Sequence, residues 1–142
     1  MPTLEELDGE DWGEPTYPSH LVTTCHRLRK KDVDQFTVED LRIMVGQGIA
    51  LDHLTPRALA VLRVDPLASG DLFPGDLLSA LIRERNRHGL HAHREAIREI
   101  CGRALALLDA RLDDTLPDGR LVGSELVSTL TAELTSYLET NP

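Results

Sequence analysis

Three histidines, His88, His91 and His93, crowd together ahead of Glu95, and imidazoles beside a carboxylate are the donors a zinc ion takes. Their spacing works against a shared site. On a helix, residues two apart point about 200° apart, so His91 and His93 cannot meet on one face, and HxxHxH lacks the HExxH spacing of two ligands plus a base. A solvated helix start is the simpler reading, and no metal ligand is assigned. Cys25 and His26 are neighbours in one helical stretch, which directs the two side chains about 100° apart and argues against a nucleophile–base dyad. There is no GxSxG elbow, no GxGxxG and no GxxxxGK[ST], so neither a serine nucleophile nor a nucleotide cradle is visible. Carboxylates are plentiful, but none falls in a stretch that reads as a buried cleft. The expectation is a protein that is not an enzyme and has no cofactor.

The elements that would carry these residues are helical. Apolar residues make up 41% of the 142, aromatics only 4%, and no stretch sustains period-two alternation, so the core must be Leu, Val, Ile and Ala. A chain of this length can bury roughly 68–70% of its unfolded surface as one domain without staples. Ser19 caps a first helix over about 19–31 that ends in Arg27, Arg29, Lys30 and Lys31, cations suited to a helix C-terminus. Thr37, with Asp40 three residues on, opens a second over 38–47, closed by Gly46 and Gly48. Thr55 as N-cap, Pro56 at the first helical position and Leu54 stapling onto Leu59 open a third, to Val64. A turn at 71–76 leads to a fourth over 74–86. The fifth, 91–112, reads as the central helix, with Arg94, Arg98, Glu95 and Glu99 on its solvated flank. After the turn at 116–119, Ser124 caps a last helix whose Leu126, Leu130, Leu134 and Leu138 need a covering partner.

The fold class expected is therefore all-α: a compact single-domain bundle of about six helices over 1–142, with an extended acidic N-terminal arm, 1–17, packed on the helical body and pinned by Trp12. Cys25 and Cys101 read as two reduced, buried thiols. The N-terminus is acidic where a signal peptide would be basic then apolar, and no apolar run approaches membrane-spanning length, so a soluble cytoplasmic protein, favoured as a monomer, is expected.

Charge narrows the partner. The formal net charge is −9, and it belongs to the ends. Residues 1–17 carry six acids and no Lys or Arg, and residues 112–142 carry six acids against Arg120 alone. Such ends repel phosphate backbones and attract basic partners. The segment 37–63 imitates a helix-turn-helix, which makes a DNA-binding regulator the alternative reading, but Arg42, Arg57 and Arg63 only balance Glu39, Asp40 and Asp52. A His-ligated metal hydrolase is the further alternative.

Several strings together carry a family likeness: Leu4-Glu5-Glu6-Leu7, Asp11-Trp12-Gly13-Glu14-Pro15, Ser19-His20-Leu21-Val22, His26-Arg27-Leu28-Arg29, Phe36-Thr37-Val38-Glu39-Asp40-Leu41-Arg42, Gly46-Gln47, and Gly70-Asp71 to Gly75-Asp76-Leu77-Leu78. Over about residues 3–82 the chain resembles the bacterial immunity proteins of contact-dependent growth inhibition systems. The resemblance implies a small cytoplasmic protein that binds and neutralises the C-terminal toxin domain of a cognate effector, often a nuclease, by occlusion. The matched residues suit turns and core, so they mark a scaffold and not a binding face. The expected toxin-binding carboxylates are Glu5, Glu6, Glu10, Asp11 and Glu14, or alternatively Asp113, Asp114, Asp118, Glu125 and Glu133. The expected partner is a basic toxin domain, with no direct contact to nucleic acid or membrane.

Overall fold

The computed structural model describes residues 2–10, 19–84 and 90–141. Among them are seven α-helices and no named strands: α1 Leu4–Asp8, α2 His20–Arg29, α3 Val38–Gly46, α4 Leu51–Val64, α5 Asp76–Arg83, α6 Arg94–Asp109 and α7 Ser124–Thr140, with 3-10 turns at Val33–Gln35 and Leu90–His93. The all-α expectation holds. The seventh helix is α1, one short helix inside the stretch expected to be an extended arm. Trp12 lies outside the described residues, as does the end expected for the fourth helix.

Local signals explain the starts of α2 and α3, whereas Ser124, expected to cap the last helix, is the first residue of α7 and makes no cap bond. Ser19 accepts from the Val22 amide, and Thr37 and Asp40 form the reciprocal capping box that their spacing predicts. The exit of α3 is a Schellman turn: Gly48, at φ 68°, donates to the Val45 carbonyl and Ile49 to that of Met44, both at 2.9 Å.

Helix α4 departs from the expectation. It begins at Leu51, after Ala50 in the left-handed region, so Thr55 and Pro56 lie inside it and Thr55 caps nothing. Burial outweighs the local start signal: the extra turn buries Leu51 and Leu54 in the core. Pro56 removes only the bond to the Asp52 carbonyl, and Asp52 is exposed, so water can take it.

The centre of the bundle is α5, not the fifth expected helix. Asp76 to Ile82 are buried without a break, the pattern of a helix covered all round. It packs against α3, α4 and α7, while α6 lies on α7 and α4. Leu130 and Leu134 of the α7 stripe are fully covered, with Leu126 and Leu138 at its margins. The buried apolar side chains form one continuous cluster running from Leu4 to Tyr137.

The loop into α5 explains the Gly70-Asp71 and Gly75-Asp76 pairs. Asp76, its side chain 1% exposed, accepts from the amides of Gly70 (2.7 Å), Leu72 (3.1 Å) and Phe73 (3.4 Å), and Glu39 of α3 accepts from Asp71 at 2.9 Å. Four consecutive N–H groups thus find two carboxylates. A Cβ on Gly70 would meet the Glu39 backbone Cα at 3.1 Å, which is why the chain is bare there. Both thiols are buried and unbridged. Among the described residues no helix is long and apolar enough to cross a membrane.

Candidate functional site

Several of the described cations are engaged within the fold, while Arg27, Lys30, Arg63 and Arg83 are exposed. Arg29, only 1% exposed, reaches from α2 to Asp8 at 2.6 Å and to the Glu10 carbonyl at 2.8 Å, clamping α1 onto the body beside the buried Leu4. Sequence reasoning placed Arg29 among the cations suited to a helix C-terminus, and periodicity alone, which counts Arg as polar, gives no sign of its burial. Arg98 donates to the Leu138 carbonyl at 2.9 Å at the end of α7, Arg103 to that of Arg63 at 2.8 Å at the end of α4, and Arg111 to that of Leu108 at 2.6 Å in α6. These carbonyls lie at the negative end of each helix dipole, where a guanidinium is favoured, and that of Leu108 also accepts the Arg111 amide at 3.4 Å. Arg120 grips Asp65, Asp118 and the Leu67 carbonyl. The bond to Arg120 holds the Asp118 carboxyl below its usual range.

The N-terminal acids converge. Glu5, Glu6 and Glu10 line one open recess of about 460 Å³ with Thr3, Gly9 and Lys30. Asp11 and Glu14 lie outside the described residues. The C-terminal acids divide. Asp113, Asp114 and Asp118 share the loop between α6 and α7, and Glu125 is exposed in the first turn of α7. Glu133, two turns further on, is turned against α5, where it accepts from Ser79 at 2.6 Å and Arg83 at 3.1 Å, so it does not join them.

That loop is tied by its own backbone. Leu112 and Thr115 exchange amide bonds at 2.9 and 3.0 Å, Thr115 also bridges Leu121, and the Val122 amide donates to the Asp114 carbonyl at 2.7 Å. Asp113 takes φ 53° to make the turn. Alternation then separates the side chains: Leu116 and Val122 point into the core, while Leu112 and Leu121 stand 80% and 75% exposed. Sequence reasoning missed this pair, because Leu121 and Val122 are both apolar and nothing in their types says which one turns outward.

The catalytic and DNA-binding candidates find no support. Burial raises the Cys25 thiol and pushes that of Cys101 up to about 12, so neither presents a thiolate at neutral pH. His88 and the side chain of His91 lie outside the described residues, and His93 is half-buried at the foot of α6. In the segment that imitates a helix-turn-helix, Arg42 is bonded to Glu39 and Arg57 to Asp34 at 2.8 Å, while Arg63 is exposed.

A family model of CDI immunity proteins, those of contact-dependent growth inhibition, matches residues 6–100. No curated protein and no solved structure matches the chain. The match covers α2 to α5 and the start of α6, and it includes the Thr37–Asp40 capping box and the carboxylate-held loop 70–76. Immunity proteins of these systems bind and neutralise a cognate toxin and are generally not enzymes. With more than half of its length inside that match, the chain belongs to the CDI immunity protein family.

Proposed function

We propose that the chain, a monomeric single-domain protein of the cytoplasm, neutralises a nuclease toxin domain by covering its basic substrate groove with carboxylates. The supporting observation is the segregation of charge. Arg98, Arg103 and Arg111 donate to main-chain carbonyls and Arg120 pairs with Asp65 and Asp118, while Glu6, Glu10, Asp113, Asp114 and Glu125 are exposed in a chain of formal net charge −9. A nuclease groove must be cationic to hold a phosphate backbone, and opposite fields steer the two proteins together before short-range contacts hold them. The carboxylates proposed to supply the field are Glu5, Glu6 and Glu10 with Asp11 and Glu14 of the same arm, or Asp113, Asp114 and Asp118 with Glu125.

The test uses the C-terminal toxin domain of the cognate effector, sought in the reading frame immediately upstream. Glu5, Glu6 and Glu10 are changed to Lys in one variant, and Asp113 and Asp114 in another. At low salt, one of the two should associate about tenfold or more slowly than the unaltered chain, with a shallower salt dependence. Unchanged rates and flat salt profiles for both would remove the electrostatic reading. Failure of the unaltered chain to bind the toxin domain or to rescue growth would remove the function.

A further inference from the structure

The geometry points to the α6–α7 loop as the recognition surface, with Leu112 and Leu121 as apolar anchors that insert into a hydrophobic dent on a basic protein, the toxin domain. This rests on the proposed function and goes beyond it by naming the contact. Leu112 and Leu121 flank Thr115 on the outward side of the loop, so they stand about two cross-strand steps of ~5 Å apart and form a pair. Val64 at the end of α4 is 86% exposed, and its chain neighbour Asp65 is the residue to which Arg120 ties the loop. Lone exposed leucines are ordinary, but two on a short hydrogen-bonded loop gain nothing for the core and face water at a cost.

What surrounds the anchors selects the occupant. Asp109, Asp113 and Asp114 are exposed and have no ion pair among the described residues, while the nearby guanidiniums of Arg111 and Arg120 are turned to the Leu108 and Leu67 carbonyls. An apolar centre with an anionic rim complements an apolar dent with a cationic rim, and repels a second copy of the same acidic surface. The loop's backbone bonds hold the anchors in place before the partner arrives, which lowers the ordering cost of binding. The surface also lies beyond residues 6–100, the span matched by the family model, where a partner-specific contact can vary without disturbing the scaffold.

The experiment titrates the C-terminal toxin domain of the cognate effector against the unaltered full chain, the double variant Leu112→Ser/Leu121→Ser, and Leu72→Ser, an exposed leucine elsewhere. The double variant should keep its melting temperature and bind about 30-fold or more weakly, since each anchor is worth more than about tenfold when truncated less its residual contact. Leu72→Ser should bind as the unaltered chain does. Binding of the double variant within twofold of the unaltered chain overturns this inference and leaves the proposed function standing. So does sedimentation showing that the unaltered chain dimerises and the double variant does not, because the patch is then an interface between copies. No binding by the unaltered chain overturns both.

Discussion

Replacing Asp76 by Ala removes one carboxylate that organises the entry to the central helix. Its oxygens accept from the backbone amides of Gly70, Leu72 and Phe73 at 2.7, 3.1 and 3.4 Å, and the Arg42 guanidinium stands 3.8 Å away. A hydrogen bond to a charged acceptor contributes about 1.5–3 kcal/mol, and a buried donor left without a partner costs about 1–3 kcal/mol. Leu72 is exposed, so water can replace one of the three bonds, and the 3.4 Å contact to Phe73 is weak. The sum comes to about 3 kcal/mol, a large share of the 5–15 kcal/mol typical of a domain, and a fall in Tm of about 10 °C. Urea unfolding followed by circular dichroism measures it. Asp76→Asn, which keeps one acceptor oxygen, should fall between the two. A loss under about 1 kcal/mol for Asp76→Ala would show that the loop 70–73 holds its conformation without the carboxylate.

Two further outcomes follow from the same kind of contact. Arg29→Met removes the clamp on α1, so amide exchange over residues 2–10 should accelerate by at least about tenfold while α5 stays protected; equal acceleration in both would mean that Arg29 supports the whole core. The hydrogen bond from Arg42 holds the Glu39 carboxyl below its ordinary 4.5. The folded chain therefore binds fewer protons than the unfolded one, so this stability is present above about pH 4.5 and is lost as pH falls through the lower folded value. Glu39→Gln should flatten that acid limb in unfolding measured from pH 6 to 3, and an unchanged slope would place the acid sensitivity elsewhere.

The features legible in the sequence were those decided within a few residues. Ser19, the Thr37–Asp40 box and the leucine stripe of α7 act through hydrogen bonds or faces set by helical spacing, and each stands where spacing puts it. Thr55-Pro56 misled because a start signal is local, while burial of Leu51 and Leu54 is decided by what α4 packs against. Helix α5 shows in the sequence only as a fourth helix, since a run as short as Leu77 to Ile82 cannot show by spacing that every side is covered. The acidic ends were visible as charge, but not that Glu133 would bond Ser79 and Arg83 instead of facing water. Nor could composition separate Leu112 and Leu121 from the core leucines, because the bridges that turn them outward join residues through a turn rather than a regular strand.

A protein that must present negative charge still needs cations to end its helices, and the two demands conflict if the cations neutralise the surface. Here the conflict is resolved by where each guanidinium donates. Arg98, Arg103 and Arg111 donate to carbonyls in the last turns of α7, α4 and α6, and in doing so they direct their charge along helix ends instead of toward the exposed carboxylates of the α6–α7 loop. Arg120 shows the limit of the arrangement: it neutralises Asp118 and Asp65, and thereby fixes the loop to the end of α4. The carboxylates free of such duty in that loop, Asp113 and Asp114, are the ones beside Leu112. Rigidity and field thus come from different members of one acidic set, so a substitution at Asp118 disturbs the loop's attachment, whereas one at Asp113 or Asp114 acts on the field that a basic partner would meet.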